Sequence, residues 1–335
     1  METVETVAEK RNETFLQRVR TKVDLGDVGP ILGLIILIII GSFLSPVFLT
    51  KGNLFNILTQ ISVLGLGAIG MTYVVIGRFF DLSVAGMLSL AAVLIVGLQP
   101  YVGTIGAIFA VILVALAVGL LNGTILQFIK GDFGASIMIT FGTGTILASL
   151  ALLYTGGFTL KPELDPVFSW FGNGSLFSIP APIILLIFFS IILHVVLKYT
   201  TFGRAIYLTG ANHEAARLSG IPIHRIRTIT FMIVAVLVSI GGLINSSQTL
   251  NASPVAGVGF ELDVIAAVAI GGTSLQGGAG NITRTLIGVL IIGVLNNVFV
   301  LIGLSNYDQM MAKGLIIIAA LLLDRRNESN LIRKG

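Results

Sequence analysis

The chain of 335 residues is 55% hydrophobic and 11% charged, with a formal net charge of +4 and no cysteine. Soluble domains carry about 25% charged residues, so this composition excludes an ordinary water-soluble globule. The absence of cysteine excludes disulfides and thiolate metal sites, and His194, His213 and His224 lack a metal-ligand spacing such as HExxH.

Residues 1–29 are polar and of mixed charge, and no Ala-x-Ala cleavage pattern follows the first apolar run, which reads as a retained span. The apolar runs beyond it are long and continuous, without the period-2 alternation of a barrel. Helices are therefore the spanning elements. About 20 apolar residues cross a bilayer, which places ten spans near 30–49, 55–77, 82–100, 102–128, 134–154, 180–198, 227–249, 261–273, 285–303 and 307–323. The third begins next to Asp81 and abuts the fourth. The eighth is short and ends in GGTSLQGGAG, the pattern of a half-helix and a re-entrant loop. The expected fold class is an all-α polytopic transmembrane bundle, with a membrane domain over 30–326 and a tail over 327–335.

Lys and Arg set the orientation. With a cytoplasmic N-terminus, seventeen of the twenty basic residues lie inside or cap helix ends on that side, leaving Lys51, Lys161 and Lys313. Both termini are then cytoplasmic. The longest outside loop, about 155–179, holds Glu163, Asp165 and Trp170. It is either a connection with an aromatic interfacial anchor or a docking surface for an external partner.

The longest inside loop, 199–226, contains TGANHEAARLSGIPIHRIR. Asn212 fits an N-cap, Glu214 lies in the first turn where the helix dipole favours an acid, and Gly220 with Pro222 stops the run. The prediction is one helix of about two turns over 212–220. It is either a solvated surface helix or a lever through which another protein moves the spans. Ala215 and Ala216 leave room for a partner groove.

The segment GRAIYLTGANHEAARLSGI (203–221) resembles the coupling segment of permease subunits of bacterial ABC importers of the ribose/monosaccharide type, within the branched-chain-amino-acid/ribose permease superfamily. FGASIMITFGTGTILASLALLYTGG (133–157), LLNGTIL (120–126), GFELDVIAAVAIGGTSLQGGAG (259–280) and KGLIIIAALLLDRR (313–326) are similar to further segments of that family, covering about residues 50–326. GRFFDLSVAG departs from its usual pattern, with Arg78 and Ala85 where glycines are expected. The resemblance implies a type II ABC-importer-like permease working with two ATPase subunits, a second permease chain (identical or related), an extracytoplasmic sugar-binding protein and the lipid bilayer. It implies no nucleic-acid partner and no cofactor. It also implies ATPase coupling through Arg204, Asn212, Glu214, Ala215, Ala216, Arg217 and Gly220.

FDLSVA (80–85) and FELDVIA (260–266) echo each other on opposite predicted faces, as an inverted repeat of spans 2–5 and 7–10 requires. Asp81 and Glu261 are helix-start acids that either cap the following spans or contact substrate. Polar residues within spans are neutral: Asn122, Thr140, Thr143, Thr145, Asn245, Ser246, Ser247, Gln248, Asn296 and Asn297. Asn122, Thr140, Asn245, Gln248, Asn296 and Asn297 are the candidate translocation path for an uncharged polyhydroxylated solute. Helix–helix hydrogen bonding, worth about 0.6 kcal/mol per contact, is their alternative role. No GxxxxGK[ST] phosphate loop is present, so any ATP hydrolysis belongs to another subunit. A secondary carrier without an ATPase, a membrane scaffold and a membrane enzyme are the rival readings.

Overall fold

The computed structural model describes residues 25–305, 307–312, 314 and 315. The expected N-terminal segment, the tail and most of the tenth expected span lie outside the described residues. The described chain is mainly helical: α1 (Leu25–Leu44), α2 (Lys51–Ile76), α3 (Val84–Phe128), α4 (Phe133–Thr155), α5 (Pro166–Asn173), α6 (Ala181–Tyr199), α7 (Thr201–Ala211), α8 (His213–Leu218), α9 (Ile223–Thr249), α10 (Phe260–Ile270) and α11 (Ile282–Leu301). A two-stranded hairpin, β1 (Ser175–Leu176) and β2 (Ile179–Pro180), follows α5. Among the described residues six helices, α2, α3, α4, α6, α9 and α11, are long and apolar enough to cross a membrane.

α2 is the axis of the bundle. Every residue from Ile61 to Ile76 is buried, as expected of a helix apolar on all sides. It is surrounded by α6, α9, α10 and α11. α9 also packs along α3, and α3 against α4. The α3–α9 contact depends on small residues spaced four apart. A Cβ on Gly119 would fall 2.6 Å from the Met232 backbone nitrogen, and one on Gly123 would fall 2.7 Å from Thr228 Cα. Apolar surroundings supply little hydrophobic drive between helices, so such close approach supplies the packing energy.

α3 contains 45 residues, about 68 Å of helix, twice the hydrocarbon thickness of roughly 30 Å. It is broken at Gly103, where φ is 67° and ψ 171°. That conformation suits glycine, and Pro100 just before it has no N–H to donate. The chain doubles back there. Gly86 and Asn122, on opposite sides of the break, meet neighbouring residues of α4, Gly144 and Thr143. The adjoining runs read from the sequence as two spans are thus one helical stretch folded at a single residue.

Beyond α4, the segment read as either a connection or a docking surface has its own built structure. Asp165 caps α5 through the Phe168 N–H at 2.8 Å. Ser247 of α9 accepts from Gly172 N–H and donates to the Phe168 carbonyl. Leu160 forms a bridge to Ala252. The inside loop also carries more structure than predicted. It holds two helices instead of one, because Thr200 caps α7 through Gly203 N–H and the chain turns at Asn212 into α8.

Candidate functional site

A cavity of about 550 Å³ opens at the end of the bundle that carries α5. Its walls come from the first half of α2, the end of α9, the start of α10 and the second half of α11. Asn245, Gln248 and Asn296, three of the six expected path residues, line it together. The Asn296 Oδ1 is buried with no hydrogen-bond partner among the described residues, and Gln248 Nε2 reaches the Thr59 carbonyl at 3.4 Å. The structure adds Asn56, Gln60, Asn173, Asp263 and the ring of Phe260. Gln60 and Asn56 interrupt an apolar run in the sequence, which was the signal available for them. Neutral amides around one carboxylate, with an aromatic face beside them, can exchange hydrogen bonds with hydroxyl groups and cover a sugar ring's apolar side.

The other three path candidates lie elsewhere. Asn122 donates to Ser83 Oγ at 3.1 Å and accepts from Thr143 at 2.8 Å. Thr140 accepts from the Leu82 N–H at 2.9 Å. Asn297 and Asn53 form a reciprocal amide pair, at 2.9 and 2.8 Å. All three side chains are committed to joining helices. Thr145 is exposed and donates to the carbonyl one turn back, of Phe141.

Neither acid is a helix cap, contrary to the capping expectation. The cap positions are Ser83 and Gly259. Asp81 lies before the cap, fully buried, and accepts from the Ser83 backbone N–H and hydroxyl. Glu261 falls inside the first turn of α10 beside Asp263, and its Oε2 is buried with no hydrogen-bond partner among the described residues. The two irregular entries meet: the Gly257 N–H donates to Ser89 Oγ at 2.9 Å, and Ala85 and Glu261 line a smaller cavity of about 240 Å³.

At the opposite end lies the segment expected to couple to an ATPase, α7 and α8. Asn212 accepts from the Ala215 N–H at 2.9 Å and so caps α8. Exposed Glu214 and Arg217 pair at 2.9 Å, and Arg204 on α7 is exposed. Gly220 takes φ 79° just past the helix end. Ala216 is buried against the chain's own bundle, so of the two alanines only Ala215 faces outward. Leu218, 82% exposed, adds an apolar side chain to the surface of the same short helix, one that composition alone did not mark.

Behind its exposed face, α8 touches the entry to α3. Phe79 packs edge-on to His213, with the guanidinium carbon of Arg227 on α9 lying 5.4 Å from the Phe79 ring centre. The GGTSLQGGAG turn closes the same cluster, with the Gly278 N–H donating to the Ile76 carbonyl at 2.8 Å and Tyr207 to that of Gly280 at 2.7 Å. Arg78 adopts φ 64° against Gly277.

A bundle of apolar helices around a polar, amide-lined cavity, with an exposed polar helix at the far end, is the build of a multi-pass membrane transport protein. The chain matches the family described as branched-chain amino acid transport system / permease component over residues 53–321, and it belongs to that family. The ribose import permease protein RbsC of Bacillus subtilis (strain 168) is 40% identical, with 90% of this chain and 94% of that protein covered. RbsC of Escherichia coli (strain K12) is 39% identical over 93% and 98%. The L-arabinose transport system permease protein AraH of Escherichia coli (strain K12) is 34% identical over 84% of each. No solved structure gives a significant match.

Proposed function

We propose that this chain is the permease subunit of an ABC importer that carries a monosaccharide or similar small polyol across the bacterial cytoplasmic (inner) membrane, with ATP hydrolysed on separate subunits. The observation that carries this reading is the identity with two sugar permeases over nearly the whole chain. The cavity fits it, because hydrogen-bonding amides bind hydroxyls without the tight hold of paired charges.

The orientation follows the Lys and Arg bias, with α5 outside and α8 in the cytoplasm. The membrane domain spans ten times, counting the folded α3 as two spans, α10 as a half-helix and a last span after 307. Spans 2–5 and 7–10 form the inverted repeat, which brings the entries at Asp81 and Glu261 toward each other. A second permease chain completes the translocator. An external sugar-binding protein docks on the α5 side. Each ATPase grips Arg204, Asn212, Glu214, Ala215, Arg217 and Gly220, with Leu218 in its groove. ATP-driven closure displaces α8 and, through Phe79, the start of α3, switching the side to which the cavity opens.

The test is uptake of labelled ribose, arabinose and a wider sugar panel by cells with and without the chain, each with and without its ATPase. Uptake that needs both supports the importer. Uptake that survives loss of the ATPase makes the chain a secondary carrier.

A further inference from the structure

We infer that the groove between α1, α6, α7 and α11 binds the head group of an anionic phospholipid. The groove encloses about 470 Å³. His194 and Lys198 of α6 and Arg284 of α11 line it, and no carboxylate is among its described lining residues. The N-terminus of α11 opens into the same space. Asn281 caps it by accepting from the Arg284 N–H at 2.8 Å, and the helix dipole there adds to the positive field.

The walls distinguish a lipid from a free anion. Ile31, Leu197 and Ile287 line the groove alongside the basic groups. α1 and α6 both pack on α11, which makes α11 the floor between two flanking helices. From Lys198 an exposed apolar stripe runs back along α6 through Val195, Ile191 and Ile187. Ile35, one turn along α1 from Ile31, is exposed as well. A phosphate held at Lys198 and Arg284 thus has apolar helix surface ready for its acyl chains. Basic pockets between spans on the cytoplasmic side suit such head groups. The leaflet assignment rests on the orientation proposed above, whereas the binding chemistry does not.

The experiment is native mass spectrometry of the purified full chain in neutral detergent, titrated with short-chain phosphatidylglycerol or phosphatidylcholine. The expected result is preferential retention of phosphatidylglycerol. Lys198→Gln weakens it about fivefold and Lys198→Gln/Arg284→Gln on the order of twentyfold, with phosphatidylcholine unchanged. Lys198 is exposed on the surface, so the single variant tests the idea even where the double variant folds poorly. Equal binding of the two lipids, or phosphatidylglycerol binding unaltered by Lys198→Gln, overturns the inference. Displacement of the lipid by millimolar inorganic phosphate also overturns it and assigns the groove to a free anion. Because the assay needs no sugar or ATPase, its failure is distinguishable from failure of the transport reading.

Discussion

The ring of Phe79 meets the imidazole of His213 edge-on, with centroids 5.6 Å apart and planes at 79°. This contact joins α8 to the backbone that leads through Asp81 into α3. Replacing Phe79 with Ala removes the link while leaving the exposed face of α8 intact. Sugar uptake is expected to fall at least tenfold, with the ATPase still co-purifying. Removing a buried Phe costs about 3–5 kcal/mol, so Phe79→Leu serves as the milder control and is expected to retain intermediate uptake. Full uptake by Phe79→Ala would show that force travels by another route.

His213 also makes this contact sensitive to pH. Burial holds its pKa below the ordinary value of 6.5, and the positive charge of Arg227 pushes the same way. The Thr209 backbone hydrogen bond pulls up, Arg78 pushes down and Glu214 pulls up. Above pH 6.5 folded and unfolded chains both keep the ring neutral, and no linkage arises. As pH falls through 6.5 towards the lower folded value, the unfolded state takes the proton first and stability is lost. The melting temperature of the wild type, measured against His213→Gln, is expected to drop in that window. Parallel pH profiles for the two proteins would remove His213 from the explanation.

Asn53 and Asn297 satisfy one another across α2 and α11, and Asn53 also donates to the Phe48 carbonyl. Asn53→Ala leaves the buried Asn297 amide without its partner, and Asn297→Ala leaves the Asn53 Oδ1 without its donor, each at a cost of about 1–3 kcal/mol. The double change to Leu removes both polar groups and is expected to recover part of that loss. The two Leu single variants together with the double close a double-mutant cycle, which unfolding in mixed micelles reads as the coupling. Additive losses would mean that the pair is not a unit.

Asn296 differs in kind, because its oxygen has no partner among the described residues and its side chain lines the larger cavity. Asn296→Leu is therefore expected to raise the KM for sugar uptake about tenfold at unchanged stability. Asn122→Leu should instead lower stability, since Asn122 ties Ser83 to Thr143. Thermal melts beside uptake assays separate the two. A stability loss in Asn296→Leu equal to that of Asn122→Leu would make Asn296 a packing residue.

Arg78 holds φ 64° where the resemblance leads one to expect Gly. Left-handed backbone costs an L residue about 1–2 kcal/mol. Arg78→Gly is expected to raise stability by about 1 kcal/mol after its own entropic penalty, as measured by unfolding. A destabilised variant would show that the guanidinium contributes more than the strain costs.

Long apolar runs were readable as helices because length and hydropathy alone decide them. α2 needed nothing more than its unbroken apolar stretch. α7 escaped prediction because TFGRAIYLTGA mixes polar and apolar residues, and its start depends on a single threonine cap at Thr200. Asn122 and Asn245 could not be separated in sequence, since the same amide joins helices or faces a cavity according to what lies across from it. Ala216 was misjudged for a similar reason: on a helix of six residues, one position of rotation decides between partner and core.

The fold at Gly103 joins two antiparallel helices with no linker between them. Gln99 and Thr104 lock across the bend at 2.9 Å, and Thr104 donates to Asp165 of the outer segment. A joint without slack cannot absorb displacement. Any tilt imposed on the first arm at its Phe79 end must therefore reappear, reversed in direction, in the second arm and in the outer cover pinned to the bend. In the importer proposed above, the inner and outer openings would then be geared rather than independently latched.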